Sequence, residues 1–222
     1  MNVHASSTGI RLSQEDYIRE LVDSYGLQDA HPTKTPLDPG TVIDDTADAP
    51  DICRAACYLA EFNAAPTPKA WAALMHVLKY LKGTPTLGIE YQRRSTTTTN
   101  ISPPIAYSDS DWGGPHTKAR RSVGGYVFML AGGPVSWQAK RQTCVAASSN
   151  EAEYITASEA AREARWIREI INNLRLFKES PAPSILLHMD NKGAIDLTSA
   201  NIQTKRSKHI DIRYHYPLAW QR

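Results

Sequence analysis

Apolar side chains in the first hundred residues recur every three or four positions, which is the period of an α-helix. The first predicted helix follows Ser13 as its N-cap and ends at Gly26. Its inward face carries Tyr17, Leu21 and Val22. We expect this helix to serve packing, because its pattern contains no cluster of reactive side chains.

A second helix is predicted further along the same region. Thr67 is its N-cap, Pro68 occupies its first position and Gly83 ends it. Its inward positions are Trp71, Leu74, Leu78 and Leu81. The two helices together predict a small helical segment ahead of the rest of the chain.

Beyond residue 100 the pattern changes to short runs that are rich in β-branched and aromatic residues. The predicted strands are 105–107, 125–130, 134–138, 143–146 and 185–189. The sequence Gly132-Gly133-Pro134 separates the second strand from the third, and it predicts a hairpin turn there.

A long helix is predicted between the fourth strand and the fifth. Ser148 and Glu151 form a capping box at its start, and Pro181 and Pro183 follow its end. Its apolar stripe is Tyr154, Ala157, Ala161, Ala164, Ile167, Ile171 and Leu174. A short helix over 193–199 follows the last strand, so we expect an α/β domain that begins with a meander.

Two segments have the composition of linkers. Residues 38–51 contain five Asp with Pro and Gly and have no apolar period. Residues 93–99 read Arg-Arg-Ser followed by four Thr. We therefore expect two parts, 1–100 and 101–222, with the boundary near residue 100.

Composition excludes several classes of protein. The chain has 41% hydrophobic and 22% charged residues, so it is neither a disordered tail nor a collagen. No run approaches the roughly 18 apolar residues of a membrane helix, and the first residues lack the apolar core of a signal peptide. A net charge of +2 does not by itself indicate a nucleic-acid partner.

The chain has three cysteines, two of them one helical turn apart. Cys53 and Cys57 lack a second Cys/His pair that would complete a structural zinc site, and Cys144 stands alone. We expect all three to be plain buried thiols in a reducing compartment, and hence an intracellular protein.

Three acids occupy positions where α/β proteins commonly place their sites. Asp109 closes the first strand after residue 100, Asp190 closes the last one, and Glu153 lies near the start of the long helix. Glu151 and Glu153 point about 200° apart on a helix. Because Glu151 fits the cap, Glu153 is the acid that can turn towards the sheet.

Three converging carboxylates repel one another unless a divalent cation lies between them. Oxygen ligands suit Mg²⁺ or Mn²⁺ rather than zinc. A pair of such ions about 4 Å apart is the usual apparatus for hydrolysing a phosphodiester. The sequence therefore predicts a metal-dependent site for phosphodiester chemistry.

Each acid also has a simpler interpretation. Asp190 alone can be a turn former or a helix cap, and Glu153 alone can be a surface acid near the positive end of a helix dipole. Asp109 with Asp111 suggests an aspartyl-phosphate phosphatase, but Gly113 follows where that motif needs Thr or Val. The order and placement of the three acids together favour a common site.

Several segments resemble, in matching order, the polyproteins of copia-type LTR retrotransposons. The segment 107–162 begins YSDSDWGG and contains SSNEAEY; with HMDNKGAI at 188–195 and RSKHIDIRYHY at 206–216, it resembles the ribonuclease H domain of that family. Residues 9–27 and 65–91 resemble the end of its reverse transcriptase and its connection segment.

The resemblance implies a ribonuclease H fold, a mixed five-stranded sheet with helices. It implies hydrolysis of the RNA strand of RNA–DNA hybrids with two Mg²⁺ or Mn²⁺ ions. By motif, Asp109 in YSDSDW, Glu153 in SSNEAEY and Asp190 in MDN match the catalytic metal-binding acids of the family. This match agrees with the choice of Glu153 over Glu151.

Such enzymes recognise 2′-hydroxyls and backbone shape, so basic side chains become candidate phosphate contacts, with a solvated surface charge as the alternative for each. The basic candidates are Lys118, Arg120, Arg121, Lys205, Arg206 and Lys208. His209 and Asp211 belong to a family motif, in which His209 either touches substrate or orients on a helix. We expect Trp112, Trp137 and Tyr126 to be core residues rather than stacking platforms.

Three departures from the family bear on activity. The helix-rich segment that the family carries between the positions of Thr46 and Asp51 is missing here, as though a helix of the connection were deleted. No Tyr-x-Asp-Asp motif is present, so we expect no working reverse transcriptase. The family's last helix, last strand and fourth acid have no counterpart in the residues up to Arg222, and Pro217 would interrupt a helix there. We therefore expect a truncated copy whose activity is impaired. A non-catalytic nucleic-acid-binding remnant and a decayed polyprotein fragment are the alternatives.

Overall fold

A computed structural model describes residues 1–37, 52–93, 102–113, 120–177 and 182–199 of the chain. Two compact units divide the chain. One unit comprises Met1–Ser95 with Ala131–Gly133, and the other comprises Thr96–Leu130 with Pro134–Arg222. In the described ranges the protein is mixed α/β, with two sheets and five helices.

The first unit contains a three-stranded antiparallel sheet and three helices. Its elements are β1 (Asn2–Ala5), β2 (Gly9–Ser13), α1 (Glu15–Ser24), α2 (Cys53–Ala60), α3 (Pro68–Gly83) and β3 (Gly88–Gln92). The sheet order is β1-β2-β3, and β2 pairs with both neighbours. The helices of the predicted small helical segment form, but the prediction missed this sheet. Its strands are only four or five residues long and largely exposed, so they carry little of the apolar alternation that marks a strand.

The first helix begins one residue later than predicted. Its N-cap is Gln14 rather than Ser13, and no side chain caps it. Ile18 and Val22 are its buried residues, whereas Tyr17 is exposed. The predicted end at Gly26 is confirmed, because that glycine has φ +63° and its N–H donates to Asp23 O in a Schellman arrangement.

The signals for α3 are confirmed at both ends. Thr67 Oγ1 accepts a hydrogen bond from Ala70 N at 3.1 Å, Pro68 is the first residue and Gly83 the last. The predicted burial of Trp71 was wrong, because its side chain is exposed and lies against the ring of Tyr25. The buried face of α3 consists of Ala70, Ala73, Val77, Leu78 and Tyr80.

The second unit is a four-stranded mixed sheet with a long helix packed on it. Its elements are β4 (Ile105–Ser110), β5 (Val123–Leu130), β6 (Gly133–Arg141), α4 (Ser149–Asn173), β7 (Leu186–His188) and α5 (Lys192–Ser199). The strand order is β6-β5-β4-β7, with β4 antiparallel to β5 and parallel to β7. This arrangement is compatible with a ribonuclease H-like fold.

The predicted strand over 143–146 does not form. The chain leaves β6 at Gln142, whose side-chain amide donates to Ala152 O at 2.8 Å and to Thr156 Oγ1 at 3.2 Å. These bonds hold the connection against α4 instead of extending the sheet. Ala146 is buried there in a cluster with Tyr154.

The main core lies between α4 and one face of the sheet. Ala106 of β4 and Phe128 of β5 pack against Ala160 and Ile167 of the helix. Gly124 is required for this approach, because a Cβ at that position would collide with Thr156. The predicted α4 stripe is confirmed over most of its length, although Leu174 at its end is exposed.

Two groups of residues predicted to be buried are not. Trp112 and Trp137 are exposed, at 57% and 37%, while Tyr126 is half-buried against the core as expected. All three cysteines lie in the described part of the chain and none is in a disulfide, but none is fully buried either. Cys57 is exposed and the other two are half-buried.

Candidate metal centre

The three predicted acids converge in the second unit. Asp109 is the penultimate residue of β4, Glu153 lies in the second turn of α4, and Asp190 is two residues beyond the end of β7. One carboxylate oxygen from each residue lies within 4.8 Å of the others.

Strand pairing explains how two of these acids meet. The strands β4 and β7 run parallel, with Tyr107 opposite His188, so their carboxyl ends reach the same edge of the sheet. Asp109 and Asp190 each follow this register pair by two residues. The parallel pairing therefore sets their spacing.

The cap of α4 selects the third acid. Ser148 Oγ accepts from Glu151 N at 3.2 Å, and a Glu151 carboxylate oxygen accepts from Ala147 N at 2.7 Å. The predicted capping role of Glu151 is thus confirmed. Glu153 is directed elsewhere, and its Oε1 accepts a hydrogen bond from Ser110 N at 3.0 Å.

The three carboxylates differ in burial. Glu153 is buried at 4% exposure, Asp109 is half-buried and Asp190 is exposed. The pKa of Glu153 is raised to about 7, chiefly by burial and further by the neighbouring Asp109 and Asp190, while the hydrogen bond from the Ser110 N–H acts in the opposite direction. The cluster therefore has an inner carboxyl that resists ionisation and an outer edge open to solvent.

These residues fit a hard divalent cation. Glu153 Oε2 is buried, and among the described residues no donor hydrogen-bonds to it. The cluster offers only carboxylate oxygens, which are ligands that Mg²⁺ and Mn²⁺ prefer. A cation placed among them would satisfy the orphaned oxygen and offset the repulsion between the acids.

Asp111 lies outside this cluster and closes a loop instead. One of its carboxylate oxygens accepts from Val123 N, and its own N–H donates to Val123 O at 3.0 Å. These bonds tie the end of β4 to the start of β5. Nothing in this arrangement resembles the paired acids of an aspartyl-phosphate site.

Of the basic candidates, only Arg120 and Arg121 fall in the described part of the chain. Both are exposed and lie just before β5. The remaining candidates lie outside the described residues, and they are Lys118, Lys205, Arg206, Lys208 and His209.

Two structural features next to the acids were not predicted from the sequence. The Ser110 N–H is a backbone donor, which no residue type reveals. Tyr107 and His188 stack with ring centroids 5.1 Å apart and an interplanar angle of 20°. Tyr107 and His188 each precede one of the acids by two residues, and alternate residues of a strand share a face. This spacing could have predicted that both rings lie near the acids.

The fold and the site together define a mixed α/β protein with a three-carboxylate candidate metal centre. The chain is 31% identical to the retrovirus-related Pol polyprotein from transposon TNT 1-94 of Nicotiana tabacum over 95% of its own length. It is 32% identical to that from transposon RE1 of Arabidopsis thaliana over 94%. It spans only 17% and 15% of these two relatives, respectively.

The chain therefore belongs to the retrovirus-related Pol polyproteins of copia-type transposons, and it is retrotransposon-derived. It is also 45% identical to the secreted RxLR effector protein 161 of Plasmopara viticola, over 53% of this chain and 79% of that protein. No family profile and no solved structure matches it. Among the described residues, no helix has the length and apolar character needed to cross a membrane.

Proposed function

We propose that the second unit is a ribonuclease H-like domain that hydrolyses the RNA strand of RNA–DNA hybrids with Mg²⁺ or Mn²⁺. The observation that carries this proposal is the convergence of Asp109, Glu153 and Asp190 at one edge of a mixed β6-β5-β4-β7 sheet. The similarity to retrovirus-related Pol polyproteins from transposons supports a nucleic acid as the substrate.

Each acid has a distinct part in the proposed site. Glu153 is fixed by the Ser110 N–H and forms the inner wall, while Asp109 holds the middle position on a rigid strand. Asp190 is the exposed member, so it faces the direction from which a phosphate would arrive. Two bound divalent ions would supply an activated water and stabilise the charge that develops on the phosphate.

Substrate binding requires positive charge outside the carboxylate cluster. The exposed Arg120 and Arg121 are candidate phosphate contacts, together with the basic residues named above that lie outside the described part. Recognition of the hybrid would depend on its backbone shape and its 2′-hydroxyls rather than on base sequence.

The first unit is proposed to derive from the end of the reverse transcriptase and its connection segment. Its three-stranded sheet and three helices contain no cluster of metal-ligating acids among the described residues.

A panel of labelled duplexes tests the proposal. The purified chain should cut the RNA strand of an RNA–DNA hybrid in Mg²⁺ and in Mn²⁺, and it should leave RNA and DNA duplexes intact. EDTA should abolish the cleavage. Equal cutting of all three duplexes, or cutting in EDTA, would contradict the proposal.

The same panel distinguishes the non-catalytic alternatives. Hybrid binding without cleavage by a folded chain would favour a nucleic-acid-binding remnant, and replacing Arg120 and Arg121 by Ala should then reduce the salt dependence of binding. A folded chain that neither binds nor cuts would favour a decayed polyprotein fragment.

A further inference from the structure

An exposed aromatic pair lies beside the carboxylate cluster. Tyr107 of β4 and His188 of β7 are register partners, and their rings stack 5.1 Å apart at 20°. Tyr107 is 47% exposed and His188 is also exposed. Aromatic surface that the fold leaves in solvent is available to a ligand.

The position of the pair relates it to the proposed site. Tyr107 and Asp109 alternate along β4, so both side chains leave the strand on the same face. Ala106 and Ser108 alternate with them and are buried. The pair therefore lies on the same face of β4 as Asp109, opposite the face that carries the buried Ala106 and Ser108.

The polar atoms of the pair are not used in hydrogen bonds within the described part of the structure. Among the described residues, neither the Tyr107 hydroxyl nor a His188 ring nitrogen forms a hydrogen bond with a protein group. The next register pair on the same face of these strands, Ile105 and Leu186, is also exposed but purely apolar. An apolar pair and a polar aromatic pair are both compatible with pairing of the two strands. Only the Tyr107–His188 pair, which lies nearer the acids, carries hydrogen-bonding groups.

We propose that the Tyr107–His188 pair is a binding platform for the RNA strand of the hybrid next to the phosphate to be cut. A ribose of that strand would pack on the exposed ring surface, with its 2′-hydroxyl near the Tyr107 hydroxyl and the His188 ring. The wide, shallow minor groove of an A-form helix presents riboses and 2′-hydroxyls to such a surface. This inference rests on the proposed function, because it assigns the contacts of the same substrate.

Three variants test the platform against a purely structural role. Tyr107→Ala removes the ring, Tyr107→Phe removes only the hydroxyl, and Leu186→Ala is the matched control at the adjacent exposed position. Hybrid affinity is measured without divalent metal, and Mg²⁺ affinity is measured by calorimetry without nucleic acid. If Tyr107→Ala does not fold, Tyr107→Leu keeps an apolar side chain in the strand and replaces it.

Tyr107→Ala should weaken hybrid binding about tenfold, as loss of an aromatic contact to nucleic acid does. Its Mg²⁺ affinity should remain that of the wild type, and Leu186→Ala should change neither quantity. Tyr107→Phe should lose affinity for the hybrid but not for a DNA duplex. If the wild-type chain cuts the hybrid, Tyr107→Ala and Tyr107→Leu should have a higher KM and an unchanged kcat.

The platform is overturned if Tyr107→Ala binds the hybrid as the wild type does. It is also overturned if Tyr107→Ala and Leu186→Ala weaken hybrid binding equally, since the pair would then only hold β7 in place. The binding measurement contains no metal, so its outcome is independent of cleavage. A wild type that binds through Tyr107 but cuts nothing would contradict the proposed function and leave the platform standing.

Discussion

At the scale of single residues, Glu153 is the carboxyl of the candidate metal centre whose ionisation costs the most free energy, because it is the most buried of the three. Its carboxyl is buried, one oxygen is satisfied by the Ser110 N–H, and the other has no donor among the described residues. Keeping this group ionised in the metal-free protein is costly, which is why its pKa rises to about 7. A bound cation would remove that cost.

The raised pKa of Glu153 predicts how the stability of the metal-free chain depends on pH. The folded state holds a proton that the unfolded state releases near its ordinary pKa of 4.5, so this residue lowers the free energy of unfolding as pH rises from about 4.5 to 7. Glu153→Gln should remove the effect and be relatively more stable above pH 7. Urea unfolding in EDTA at several pH values measures it.

Glu159→Gln, on the same helix but outside the cluster, is the control for that comparison. It should follow the wild-type pH dependence. A Glu153→Gln variant whose stability tracks the wild type across this pH range would show that Glu153 ionises normally.

The residue scale also shows what the sequence could reveal about the site. The order and placement of Asp109, Glu153 and Asp190, together with their match to family motifs, selected them in the sequence. The capping role of Glu151 excluded the neighbouring acid. Their unequal burial and the Ser110 N–H could not be predicted, because both arise from how α4 packs against the end of β4.

At the scale of elements, two devices place α4 and thereby Glu153. Ser148 caps its first turn, and Gly124 lets the helix approach β5 closely enough for Thr156 to pack there. The cap was visible in the sequence because capping is a local interaction. The requirement for glycine was not visible, because it depends on the packing of Thr156, which lies more than thirty residues further along the chain.

Loss of the cap should destabilise α4 measurably. Ser148→Ala leaves the Glu151 N–H without its side-chain acceptor and should lower the free energy of unfolding by about 1 kcal/mol. Ser149→Ala changes the adjacent exposed residue, and we expect it to stay within about 0.5 kcal/mol of the wild type. Equal urea midpoints for the two variants would mean that the cap contributes nothing.

Strands show where local pattern fails. The strands of the second unit that build its core were predicted, because Phe128 and its neighbours form a strongly β-prone run. Those of the first unit were missed, because short exposed strands such as β1 and β2 are specified by their pairing partners. The false strand at 143–146 has β-prone residues, but Gln142 anchors that segment to α4.

At the scale of the whole molecule, a retrotransposon-derived chain of two compact units carries the three-carboxylate centre in the second of them. A ligand that binds only the folded state stabilises it in proportion to the logarithm of its concentration over Kd. Metal binding to this centre should therefore be detectable in the unfolding of the protein.

Mg²⁺ should raise the melting temperature of the wild-type chain. At a concentration one hundred times Kd the gain is about 2.7 kcal/mol, which is several degrees for a domain of this size. The gain should disappear in Asp109→Asn and persist in Asp196→Asn, whose exposed carboxylate lies on α5 outside the cluster. An equal rise in both variants would indicate a general salt effect.

Cleavage of a labelled RNA–DNA hybrid, compared across four variants, tests the central claim most directly. Asp109→Asn, Glu153→Gln and Asp190→Asn should each slow cleavage at least about a hundredfold, since even partners outside the ligand set of a metal site cost up to that factor. Asp196→Asn should cut as the wild type does. Cleavage that survives in all three cluster variants would contradict a catalytic metal centre formed by these acids.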